Sequence, residues 1–162
     1  MAVLGVMGMM RFAVVVALGA VAGSAMGQET TAWKNGRYQI DQRGVVERSD
    51  IVLERANTKP SEAMPLGNGR LGAAVWAADG LTVQVNRGDT WPVRKSPGQV
   101  VLPGLKKLTA AADYAGRLSL YDGELVETGG GMRAVVYVDE AQDALVIDVK
   151  GADPQTEQTA TL

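Results

Sequence analysis

Met64-Pro65-Leu66-Gly67-Asn68-Gly69-Arg70-Leu71-Gly72 sets three glycines and a proline within nine residues and runs straight into Ala73-Ala74-Val75-Trp76. Glycine opens positive-φ conformations and proline interrupts a strand ladder, so this stretch describes a backbone bent sharply just before a buried strand. It is a shaped loop that feeds a sheet. Further along, Leu81, Val83 and Val85 alternate with Thr82, Gln84 and Asn86, and Leu145, Ile147 and Val149 alternate with Val146, Asp148 and Lys150. Period two of this kind marks half-buried strands.

The turns expected between strands follow from the same reading. Asp79-Gly80 joins Gly72–Ala78 to Leu81–Asn86, and Asp122-Gly123 joins Arg117–Tyr121 to Glu124–Thr128, each as a two-residue type I′ turn. Gly129-Gly130-Gly131 releases the chain into Met132–Val138, and the polar loop Asp139 to Asp143 returns it through Ala144–Val149. These segments form an antiparallel meander of four strands. Leu105–Ala112, placed after Pro103-Gly104, fits two helical turns and an irregular edge strand equally well. The fold class is all-β, an antiparallel β-sandwich, with Trp76 expected in its core between Val75 and Ala77. Gln158-Thr159-Ala160-Thr161-Leu162 reads as a strand without a closing turn, so the polypeptide is expected to be the front of a longer one, its sandwich incomplete at the C-terminus.

The first 27 residues read as a signal peptide. Arg11 precedes an apolar run, Phe12 to Val21, that is too short to span a bilayer, and Ala25-Met26-Gly27 offers a small-x-small cleavage site. The product is expected to be secreted or periplasmic, with no membrane association after cleavage. Residues 28–49 are polar and aperiodic apart from Trp33, Tyr38 and Ile40, which describes a loosely attached leader, and residues 50–162 form one domain. Net charge is −2 and no basic stripe occurs, so nucleic acid is not an expected partner. There is no cysteine and no histidine, which removes disulfides, thiolate metal sites and the commonest general base. No metal or other cofactor is expected.

Asn86, Asp89, Thr90 and Trp91 gather where a strand leaves the sheet, with Pro92 blocking a simple continuation. An aromatic face beside amide and carboxylate groups suits a sugar, whose C–H face stacks on the ring while its hydroxyls take hydrogen bonds; the same residues also serve as a loop anchor and local turn. Glycosidic hydrolysis needs a pair of carboxyl groups. Glu47, Asp50 and Glu54 border one strand and Asp122, Glu124 and Glu127 border a hairpin, and both sets read as solvated edges rather than catalysts. Neither Gly67-Asn68-Gly69 nor Gly129-Gly130-Gly131 has the Lys-Ser or Lys-Thr that follows a phosphate-binding loop, and the acidic residues near Gly123 lack the spacing of a calcium loop.

Taken together, Asp50 to Trp91 resembles the N-terminal domain of glycoside hydrolase family 95, the α-L-fucosidase-like enzymes. The Pro-Leu-Gly-Asn-Gly-Arg-Leu-Gly segment of that family is matched at every position by Pro65 to Gly72. Where the family carries Asn-Glu-Asp-Thr-Leu-Trp, this chain has Asn86-Arg87-Gly88-Asp89-Thr90-Trp91, with Asp-Thr displaced by one residue, as in a divergent branch. The resemblance implies a large, super-sandwich-like β-domain ahead of an (α/α)₆ catalytic barrel that lies outside this sequence. No catalytic residue carries over. Asn68, Asn86, Asp89, Thr90 and Trp91 become candidates for a substrate rim or an interdomain surface, the barrel and carbohydrate become the expected partners, and fucosylated glycans become the expected substrates. The alternative is a stand-alone carbohydrate-binding or structural sandwich with Trp76 or Trp91 as its stacking platform.

Overall fold

The computed structural model describes residues 31–34, 36–90, 92, 96, 98–153 and 155. The stretch read as a signal peptide, Trp91 and the run 158–162 lie outside the described residues. The leader stretch, in which no element was expected, contains a hairpin of β1 (Thr31–Lys34) and β2 (Arg37–Ile40), followed by a short helix, α1 (Gln42–Glu47). The Asp41 carboxylate caps α1 by accepting from the Gly44 backbone N–H at 2.9 Å. Arg43 in α1 bonds to Glu47, reaches Asp122 at 2.9 Å and lies 4.9 Å from the centre of the Tyr121 ring, which ties this helix to the sandwich.

Two antiparallel sheets follow. β3 (Ile51–Leu53) is the edge of a five-stranded sheet; β4 (Met64–Gly67), β5 (Leu71–Trp76), β6 (Leu81–Arg87) and β7 (Gly98–Leu102) make a four-stranded sheet in chain order. A single-turn 3₁₀ segment at Pro103–Leu105 and a short helix, α2 (Lys106–Thr109), carry the chain across to the other sheet. Helix is thus the outcome for the stretch that fitted helix and edge strand equally. The meander then runs β8 (Ala115–Ser119), β9 (Glu124–Gly129), β10 (Met132–Asp139) and β11 (Ala144–Lys150), with β3 paired to β8.

Alternation decides which face each strand buries. Leu71, Ala73 and Val75 of β5 and Leu81, Val83 and Val85 of β6 meet Leu118, Leu125, Ala134 and Val136 of the meander in one core, sealed at one side by Leu105, Leu108 and Tyr114. Burying each leucine or valine contributes about 1.5–3 kcal/mol. Trp76 is buried as expected, but strand parity turns it to the face away from Val75, beside Thr82 on β6, and it is not among the residues packed between the sheets.

Two of the expected tight turns are longer. Trp76 pairs with Thr82 and Ser119 with Glu124, so Asp79-Gly80 and Asp122-Gly123 lie within longer connections. A type I′ turn needs positive φ at both central residues; Gly80 and Gly123 have it and their aspartates do not. Asp122 instead exchanges hydrogen bonds with the Ser119 hydroxyl, and Gly80 passes so close to the Leu102 carbonyl that a Cβ there would sit 2.1 Å from its oxygen. The two-residue turn occurs at Gly130-Gly131, both with positive φ, between the paired Gly129 and Met132.

Candidate functional site

The glycine-rich stretch that opens the sequence reading is the β4–β5 connection, and its centre is Asn68. The Asn68 side-chain oxygen accepts from the backbone N–H groups of Arg70 at 3.0 Å and Leu71 at 2.8 Å, which folds the turn upon itself. Its amide nitrogen donates to the carbonyl of Asp139, the last residue of β10, at 3.1 Å and to Oδ1 of Asp143, in the β10–β11 connection of the same opposite sheet, at 2.7 Å. Two donors and two acceptor positions are the whole capacity of an asparagine side chain, and all are used. Aspartate here would lose both donors and face the Asp143 carboxylate. The stretch is therefore a clip between sheets.

Asp143 takes a left-handed backbone, φ 49°, which aspartate tolerates better than most residues. Its carboxylate also pairs with Arg70 Nε at 3.1 Å and, on its other oxygen, with Arg87 Nη2 at 3.6 Å. Arg87 grips Asp89 with two hydrogen bonds, Nε to Oδ1 at 2.9 Å and Nη2 to Oδ2 at 2.7 Å. That pairing holds the Asp89 carboxyl below the usual carboxylate range and raises Arg87. Asp89 is thereby kept ionised and is no proton donor near neutral pH.

Beside this charge chain lies an open groove of about 480 Å³, bordered by Gly69, Arg70, Gly72, Asn86, Arg87 and Gly88. Gly72 is the register partner of Asn86, and the missing side chain on β5 leaves the exposed Asn86 amide standing free at the groove wall. The backbone closes the same end, because the Gly88 N–H donates to the Arg70 carbonyl at 2.9 Å. Ser96 folds back over β6, its hydroxyl donating to the Val85 carbonyl at 2.8 Å. Guanidinium, amide and glycine backbone around an open groove form a surface suited to hydroxyl-rich ligands. Of the five residues singled out from sequence, Asn68 and Asn86 share this end of the sheet, Asp89 joins through Arg87, half-buried Thr90 follows it, and Trp91 lies outside the described residues.

Two carboxylates expected at solvated edges are instead covered. Asp50 lies under Arg117, whose Nε donates to it at 2.8 Å, and accepts the Leu120 N–H at 2.9 Å; that backbone bond lowers its pKa. Glu127 is 4% exposed and points into the interior of β9, where its register neighbours are the small residues Gly116 and Ala134. Glu127 Oε1 accepts from the Tyr114 hydroxyl at 2.6 Å and Oε2 has no protein partner. Burial pushes the Glu127 carboxyl up, with the Tyr114 bond pulling the other way; burial, then the charge of Glu127, raises Tyr114. Glu127 was misread because the α2 region that covers it carries no sequence mark of doing so.

Arg70, Arg87 and Asp143 were not singled out from the sequence. The Arg87-Gly88-Asp89 spacing could have flagged one ion pair; nothing in the primary structure relates Asn68 to Asp143, 75 residues away. Among the described residues, no cluster of three or more histidine, cysteine, aspartate or glutamate side chains could hold a metal ion, and no helix is long and apolar enough to cross a membrane. No protein-family model, curated protein or solved structure matches the chain.

Proposed function

We propose that this chain is a non-catalytic N-terminal β-sandwich of a secreted glycoside hydrolase resembling family 95, which buttresses a helical barrel carrying the hydrolytic residues. One observation carries the reading: at the groove beside the family-like turn, the acidic groups Asp89 and Asp143 are both committed to arginines, while the exposed Asn86 is presented outward. Such a surface can position a glycan or a neighbouring domain and lacks the tuned acid that cleavage requires.

Two measurements test it. The chain is expected to show no turnover of 4-nitrophenyl α-L-fucoside; turnover abolished by Asp89→Asn or Asp143→Asn overturns the assignment of roles. Sequencing the gene past the codon for Leu162 is expected to reveal several hundred residues of helical periodicity, and a stop codon there contradicts the reading. The openness of the groove favours, as a second reading, a self-contained carbohydrate-binding sandwich, which that stop codon would support.

A further inference from the structure

The β1–β2 hairpin forms a two-stranded sheet of its own, with every residue of β2 exposed. Trp33 pairs directly with Tyr38 in the register of the two strands. Directly opposed residues of an antiparallel pair project to one face, so Trp33 and Tyr38 share a face, and strand parity adds Ile40 to it. Trp33 is 71% exposed, Tyr38 58% and Ile40 50%.

We infer that this face is a glycan-binding platform, with Trp33 and Tyr38 stacking on the flat C–H face of a β-1,4-linked pyranose chain. The chemistry fits: aromatic faces carry negative charge density, and equatorially substituted pyranoses present rows of polarised C–H bonds. The size of the patch selects the same occupant. At these exposures the two aromatics offer roughly 200–320 Å², taking ~150–250 Å² for each when whole, whereas a stable protein interface needs about 800 Å² per partner. A linear glycan needs no more than two stacked rings. The platform is separate from the groove at Asn86, so the inference stands or falls independently of the glycosidase reading.

The test is a fluorescence titration of the full chain with cellohexaose, with analytical ultracentrifugation and sedimentation with phosphatidylcholine–phosphatidylglycerol vesicles alongside. A saturable change in tryptophan emission is expected from the wild type, and isothermal titration calorimetry, which does not use the Trp33 indole as its reporter, should find the affinity weakened about tenfold by Trp33→Ala and by less in Trp33→Phe, which keeps a ring. Gln39→Ala, on the opposite face, leaves the titration unchanged. The inference is overturned by no emission change with cellohexaose, or by equal binding in Trp33→Ala. It is equally overturned if Trp33→Ala abolishes self-association or vesicle binding in a chain that does not bind the sugar.

Discussion

Two polar junctions hold connecting segments in place, and they do so in opposite ways. At the β4–β5 turn, Asn68 is half-buried and fully bonded, and the carboxylate it meets, Asp143, has cationic partners as well. At β9, Glu127 is buried with one hydrogen bond from Tyr114 and one oxygen left over. The first junction gains stability because every polar atom that leaves water finds a partner. The second pays with a displaced pKa instead, since a buried carboxyl without enough donors holds its proton. A shared class of contact thus gives a fully bonded clip in one place and a proton-dependent one in the other.

The largest effect is expected where most bonds are lost. Asn68→Ala removes four hydrogen bonds, two within the turn and two across to the opposite sheet, so chemical denaturation should show a loss of ~2–4 kcal/mol. A loss smaller than that of any single exposed ion pair would erase the contrast. Tyr114→Phe leaves Glu127 without its one donor and should cost ~1–3 kcal/mol by the same measurement.

Glu127 sharpens the comparison through pH. Its folded pKa lies above the ordinary value of 4.5, so the folded state keeps a proton that the unfolded chain releases. Its contribution to stability is full below pH 4.5 and is lost as pH rises through the folded value. Denaturation midpoints followed upward from pH 4.5 should therefore fall in the wild type, and Glu127→Gln should flatten that slope while Asn68→Ala leaves it in place. The smallest change belongs to Arg87→Ala. Its pair with Asp89 is exposed and its contact with half-buried Asp143 is long at 3.6 Å, so a melting curve should stay close to that of the wild type.

The sheets were legible because their information is local. Alternation along Leu81–Asn86 and Leu145–Lys150 fixes which side faces inward, and the glycines between Met132 and Thr128 can adopt the turn that the meander needs. Turn length was less legible at Asp79 and Asp122, where an Asp-Gly pair is compatible with several connections and the neighbouring backbone makes the choice. The hairpin at 31–40 escaped notice because Tyr38 and Ile40 give only two apolar positions of alternation, too short a run to mark a strand before its pairing is known. At the candidate site, Asn68 and Asn86 could be chosen from their place beside glycines and strand ends. Asp143 could not, because its role exists only once two sheets are stacked, and Glu127 looked like any edge acid until α2 and Tyr114 covered it.

The most direct test of the account is a double-mutant cycle between Asn68→Ala and Asp143→Gly, the glycine chosen because it accepts the positive φ of that position. If the family-like turn clips one sheet to the other, the two losses of stability will be less than additive, with a coupling of about 1–2 kcal/mol. Additive losses would mean that the turn and the β10–β11 connection act separately, and the clip would be contradicted.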